Sequence, residues 1–213
     1  MRESGNIDIS MARFANVAFS DGSLLHGFDQ RLKKRQPIVA PDDVRRYFVT
    51  PKESGLLCLI SCLLGQNRDI FFPKLNDDLH LTTFSEIAVK YLSSKGFKPH
   101  ECESEEEARS LSDILPKSGQ WPCIFSKSDT TGEKDFEEFY TSTEIVDFQI
   151  FPSIGIIKND AFFDEKLLNW FVDTVESLRQ GSDWEKQKIV SIFNKMLPNF
   201  QHIELGKYLE TKM

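Results

Sequence analysis

Three short stretches of the chain carry residues suited to holding an anion with a polar body attached. Asn16 follows a predicted strand end and offers a donor and an acceptor at one point. Gly22-Ser23 opens a predicted helix, whose first turn presents unpaired N–H groups and the positive end of the dipole, a seat for phosphate. Arg46 begins a predicted strand, and its guanidinium can grip phosphate oxygens as a two-pronged fork. Each residue also has an ordinary use: Asn16 as a turn former, Ser23 as a helix cap, Arg46 as a surface cation. Taken singly, the ordinary use is the better reading.

Other chemistries lack their residues. No nucleophile elbow, phosphate-binding Gly-Lys loop or zinc-protease spacing occurs. The cluster Glu105-Glu106-Glu107 follows Ser104 and reads as a capping box in a first helical turn, where acids complement the dipole. No His accompanies it. Cys58, Cys62, Cys102 and Cys123 form no CxxC pair, with no His at ligand spacing, so no metal ligand is assigned. Cys58 and Cys62 read as small hydrophobes on an apolar helix, in a reducing, cytoplasmic setting. Tyr91 and Tyr208 each have a Lys four residues on, but Tyr91 lies late on an amphipathic helix and Tyr208 near the C-terminus. Both read as chance spacings, and no catalytic residue is assigned.

The bulk numbers narrow the classes. At 213 residues, 40% apolar and 28% charged, the composition is that of a globular chain with one sizeable core. A net charge of −7 argues against a general nucleic-acid binder. The basic stretch Arg31–Arg35 reads as the solvated end of a helix. No apolar run is long enough to span a bilayer, and Met1-Arg2-Glu3 opens no signal peptide. Eighteen Phe imply a core of large rings or a surface that expects cover.

The elements that would position these residues alternate. Ile7–Phe14 reads as a strand, and Ser23 caps a helix with the stripe Leu24, Leu25, Phe28, Leu32. Pro37–Ala40 is short and extended, and Tyr47–Val49 is a strand ending at the capping box Thr50-Pro51-Lys52-Glu53. The helix that follows is so apolar, from Leu56 to Leu64, that it needs cover on more than one side. Ile70–Pro73 and Trp121–Phe125 read as strands, with a helix from about Thr83 to Ser94 between them. Leu167–Leu178 and Ile189–Leu197 then give two amphipathic helices, the first stopping at Gly181 and the second capped by Ser182–Glu185.

Taken in order, Arg13-Phe14-Ala15-Asn16-Val17, Ser20-Asp21-Gly22-Ser23 and Arg46–Glu53 resemble the extended short-chain dehydrogenase/reductases. The nearest resemblance is to the branch of UDP-N-acetylglucosamine 4,6-dehydratases of bacterial polysaccharide and glycan biosynthesis. Thr131-Gly132-Glu133-Lys134 with Phe136-Glu137-Glu138-Phe139 is similar to that branch's Pro-Gly-Glu-Lys-x-x-Glu-Glu segment. The resemblance implies that Asn16 touches a bound nucleotide sugar and Arg46 holds its diphosphate. It further implies that Gly22, Ser23 and Leu24 line the nucleotide pocket, that Val39 flanks the uracil, and that Glu133 lies near the nucleotide. Many members carry Arg-Pro where this chain has Thr130-Thr131, so one expected phosphate cation is missing.

In that family the cofactor's glycine-rich turn and the catalytic Tyr-x-x-x-Lys precede the strand matched by Ile7–Phe14. Here six residues precede it. The family reaction moves a hydride from C4 of the sugar to NAD(P), eliminates water across C5 and C6, and returns the hydride. The expectation is therefore a truncated substrate-binding portion, inactive by itself and binding no NAD(P) alone. The alternatives are a nucleotide-sugar epimerase of the same family or a non-catalytic nucleotide-sugar binding or assembly module. The expected fold is α/β, a remnant of a parallel Rossmann-type sheet interleaved with a small α/β substrate domain, over residues 1–150. A helical pair follows over 151–213. A UDP-sugar is the expected ligand. The expected partners are the missing cofactor-binding half or a second copy, since strands Ile7–Phe14 and Ile70–Pro73 would leave an open edge.

Overall fold

The computed structural model describes residues 7–74, 81–132, 137–160, 163–181, 185–200, 202–204 and 206. It is a mixed α/β fold with six α-helices and several parallel strand pairs among the described residues. These residues fall into two compact units, one within 1–128 and 134–159, the other within 129–133 and 160–213.

The first unit is built on two sheets. In one, β1 (Met11–Ala12) runs parallel to β6 (Asp69–Pro73), with Met11 opposite Ile70. Both segments lie in one sheet and run parallel, although β1 is much shorter than Ile7–Phe14. β11 (Ile154–Lys158) then pairs antiparallel with β6, and β10 (Ile145–Asp147) with β11. Ile154–Lys158 falls beyond the sequence division at 150/151, yet it is a central strand of this sheet. Asp69 is buried at the foot of β6, where Lys158 Nζ reaches both carboxylate oxygens at 3.0 Å and ties β11 to it.

The other sheet is wholly parallel, in the order β3 (Ile38–Pro41), β9 (Gln120–Ser126), β8 (Lys98–Glu101). α1 (Leu24–Lys33) and α3 (Phe84–Ser94) cover it, burying Leu25, Phe28, Ala88, Tyr91 and Leu92 against Ile38, Ala40 and Trp121. Two short ladders join the sheets. β2 (Asn16–Val17) is parallel to β5 (Phe48–Val49), and β4 (Arg45–Arg46) is antiparallel to β7 (Thr82–Thr83).

Helix starts follow the expected caps. Ser23 Oγ accepts from His26 N–H at 3.3 Å. Thr50 and Glu53 form a complete capping box at α2 (Pro51–Leu64). At α4 (Glu105–Ser110) only half the expected box is present. Ser104 Oγ accepts from Glu107 N–H, but the Glu107 carboxylate accepts from Glu103 N–H instead of Ser104.

α2 departs from expectation. Leu57 packs on Phe71 and Ile156, and Ser61 is buried, but Leu56, Leu59, Leu63, Leu64, Cys58 and Cys62 are all exposed, Leu63 at 69%. Cys58 and Cys62 therefore do not pack as small hydrophobes, because no element among the described residues covers this face. β1 likewise has a strand partner on one edge alone among those residues. Such a face drives association. Light scattering is expected to give a mass above the monomer, falling to the monomer in a Leu59→Glu/Leu63→Glu variant. A monodisperse wild-type monomer would count against this.

In the second unit, α5 (Glu165–Gln180), capped by Asp164, pairs with α6 (Lys186–Met196) through an edge contact of Phe171 and Phe193 at 5.4 Å. Gly181 follows α5 as expected. Of the expected cap Ser182–Glu185, the first three residues lie outside the described residues, and Glu185 stands at the N-cap of α6 without a side-chain cap hydrogen bond.

Candidate functional site

Asn16 and Arg46 come from different ladders and meet at one carboxylate. Asn16 sits on β2, which is docked to β5 by its N–H donated to Tyr47 O at 3.1 Å. Its side-chain Nδ2 donates to Glu137 Oε2 at 3.1 Å. Arg46 sits on β4 with its side chain only 11% exposed, its guanidinium 5.7 Å from the Phe84 ring centre and its Nε 3.5 Å from Glu137 Oε1. The ordinary reading of Arg46 as a surface cation is thus incorrect, because the Phe84 ring and the Glu137 carboxylate enclose it. Glu137 presents one oxygen to each donor, the arrangement that two oxygens of a phosphate would use.

Glu137 is held there by the aromatic core. Phe139, two residues on, stacks on Phe72 at 6.1 Å and lies 5.3 Å from Tyr47. Arg13 Nη1 donates to Phe139 O at 2.6 Å, and its Nη2 pairs with Glu144 at 3.2 Å. The same Arg13-to-Asn16 stretch therefore supplies both a donor of the site and the clamp on the segment that closes it. Sequence reasoning gave neither Arg13 nor Glu137 a role, although both lie in the stretches that carry the family resemblance.

The other expected residues sit one layer away. Gly22 is exposed with φ +72 and open space at its Cα, just before the Ser23 cap. Leu24 packs against the cluster of Ile38 and Ala40, while Val39 between them faces outward and is exposed. β2 links the layers, with Val17 packed on the cluster of Tyr47 and Phe72, and Ala18 on that of Leu25 and Phe28. Glu133 lies outside the described residues. A cleft of about 410 Å³ between Leu32, Phe97 and Trp121 shares no residue with this site.

The helix starts differ in what they can accept. α1 has no acid in its first turn, whereas Glu53 and Glu86 fill the starts of α2 and α3, their carboxylates held below the usual range by Thr50 and Thr83. Among the described residues, the N–H groups that open α2 and α3 are therefore already partnered, while the start of α1 carries no acid. Tyr91 and Lys95 both bind Asp29, at 2.9 and 3.3 Å. Burial, then the Asp29 carboxylate, pushes the Tyr91 phenol well above its ordinary value, the opposite of what a proton-abstracting tyrosine needs.

Residues 1–159 match the family model described as polysaccharide biosynthesis protein. The chain belongs to the polysaccharide biosynthesis protein family. Asn16, Arg46 and Glu137 all lie within the matched residues, and α5 and α6 lie beyond them. The chain is 26% identical over 147 residues to the probable polysaccharide biosynthesis protein EpsC of Bacillus subtilis, a match covering 68% of this chain and 21% of that protein. It is 32% identical over 99 residues to an uncharacterized membrane protein of Methanocaldococcus jannaschii, covering 44% of this chain and 28% of that protein. Matches thus span about a quarter of these relatives' lengths. The solved structure of Pen from Bacillus thuringiensis aligns with 80% of this chain and 51% of its own, at 16% identity and a TM-score of 0.45. Among the described residues, no helix is long and apolar enough to cross a membrane.

Proposed function

We propose that the first unit is the nucleotide-sugar-binding portion of an NAD(P)-dependent UDP-N-acetylglucosamine 4,6-dehydratase. The observation that carries this reading is the convergence of Asn16 Nδ2 and Arg46 Nε on a single carboxylate at 3.1 and 3.5 Å. Two donors fixed by separate ladders form a preorganised anion seat, and Glu137 fills it in the absence of ligand. A diphosphate entering the seat displaces the Glu137 carboxylate and takes both donors. The open start of α1 at Gly22-Ser23-Leu24 and the outward face of Val39 then border the nucleoside.

Hydride transfer needs a cofactor-binding portion that these residues do not supply. The exposed face of α2, and the edge of β1 that has no strand partner among the described residues, suit the addition of a further parallel strand and helix from that portion. The chain by itself, incubated with UDP-N-acetylglucosamine and NAD, is expected to yield no 4-keto-6-deoxy product. UDP-N-acetylglucosamine, unlike free N-acetylglucosamine, is expected to raise the thermal unfolding midpoint in a concentration-dependent way. Product formed by the chain alone, or equal shifts from both sugars, would overturn the reading.

A further inference from the structure

β8 runs directly into the cap of α4, and three side chains around this corner are of metal-ligand type. His100 and Cys102 are two apart on extended backbone, so both leave the strand on one face. Cys102 is buried, and its N–H is donated to Cys123 O at 2.8 Å, which fixes it against β9. Glu107 lies in the first turn of α4. Its Oε2 accepts from Glu103 N–H at 2.8 Å and its own N–H reaches Ser104 Oγ at 3.1 Å, contacts that fold the carboxylate back over the strand end. A ring nitrogen, a thiol sulfur and a carboxylate oxygen consequently lie within 4.8 Å of one another.

We propose that His100, Cys102 and Glu107 bind one divalent cation of the zinc class, with a fourth position left to water. The donor set decides the class. Thiolate and imidazole favour zinc, whereas magnesium and calcium require oxygen shells. Three protein ligands and one open position form a recurrent zinc arrangement, with bonds of about 2.0–2.3 Å. His100 is half-buried and Glu107 exposed, so both side chains are free to turn inward by the small amount those bonds demand. Glu101, Glu103 and Glu106 are exposed on the same stretch of chain and add negative charge to it, which a cation offsets. Spacing alone conceals the site. His-x-Cys is a ligand pair only because a strand alternates its faces, and Glu107 joins it only because α4 turns back.

The test uses the full chain with Cys58→Ser and Cys62→Ser, since those exposed thiols would also take up metal. After removal of metal by a chelator, cobalt(II) is titrated and the near-ultraviolet thiolate-to-cobalt band is recorded. The expected result is saturation at one equivalent, with zinc(II) displacing the cobalt. Glu107→Gln, a change at an exposed position, and His100→Ala should each weaken binding by at least about tenfold. Cys102→Ser should remove the band. Absence of a thiolate band at saturating cobalt, or a band whose affinity is unchanged by Glu107→Gln and His100→Ala, would overturn the proposal.

Discussion

Arg46→Ala is expected to lower the affinity for UDP-N-acetylglucosamine by roughly 10- to 150-fold, the range that follows from losing charge-assisted hydrogen bonds worth about 1.5–3 kcal/mol. The fold should survive, because the Glu137 side chain released by the change is 38% exposed and keeps access to water. Arg46→Lys retains the charge but not the fork, so it should recover only part of the loss. Glu137→Gln should act in the opposite direction and raise affinity several-fold, since the neutral amide competes less well than a carboxylate for Arg46 and Asn16. Opposite signs from two side chains in contact cannot arise from a general loss of structure. Calorimetric titration of the three variants reads the pattern directly. A loss in Glu137→Gln as large as that in Arg46→Ala would make Glu137 a ligand contact, and the displacement model would fail.

Gly155→Ala is expected to destabilise the first unit by about 1–3 kcal/mol, the usual range for overpacking a filled core. That is a large share of the roughly 5–15 kcal/mol typical of a whole domain. A Cβ at this position would lie 2.3 Å from Phe72 Cζ and under 3 Å from both Cε atoms. Phe72 has nowhere to go. It is 1% exposed and hemmed in by Phe139, Tyr140 and Phe148. A shift of its ring displaces Phe139, and with it the Glu137 carboxylate two residues away, so ligand affinity should change along with stability. Gly55→Ala is the control, because its Cβ meets nothing within 4 Å on a helical face and should stabilise by about 0.5–1 kcal/mol. Urea unfolding followed by circular dichroism separates the two. Equal midpoints for Gly155→Ala and wild type would refute this packing.

What was legible in the sequence was local. Ser23, Thr50 and the Thr83 region mark helix starts because a cap and its partner lie within three residues of each other. The two strands of the β1–β6 pair were recognisable from their apolar runs. β11 was not, because Ile154-Gly155-Ile156-Ile157 is a short apolar run without polar alternation beside a strongly helical region. The environment of Arg46 was illegible for another reason. Phe84 and Glu137, which bury it, lie far away in sequence, and nothing near Arg46 signals either. α2 is a related case: its residues read as needing cover on more than one side, while Leu56, Leu59, Leu63 and Leu64 are exposed. His100 and Cys102 stand two apart in the sequence, but Glu107 comes within 4.8 Å of them only through the turn into α4.

The central claim is that Asn16 and Arg46 form a preformed seat for the diphosphate of a nucleotide sugar. Its most direct test is a nuclear magnetic resonance titration of the isotope-labelled chain with UDP-N-acetylglucosamine, following the Asn16 side-chain amide and the Arg46 Nε–H. Both signals are expected to shift in a saturable manner as Glu137 is displaced, with smaller shifts along β2 and the start of α1. Signals of Asn16 and Arg46 that stay in place while the ligand saturates, or that remain unmoved at the highest attainable concentration, would contradict the account.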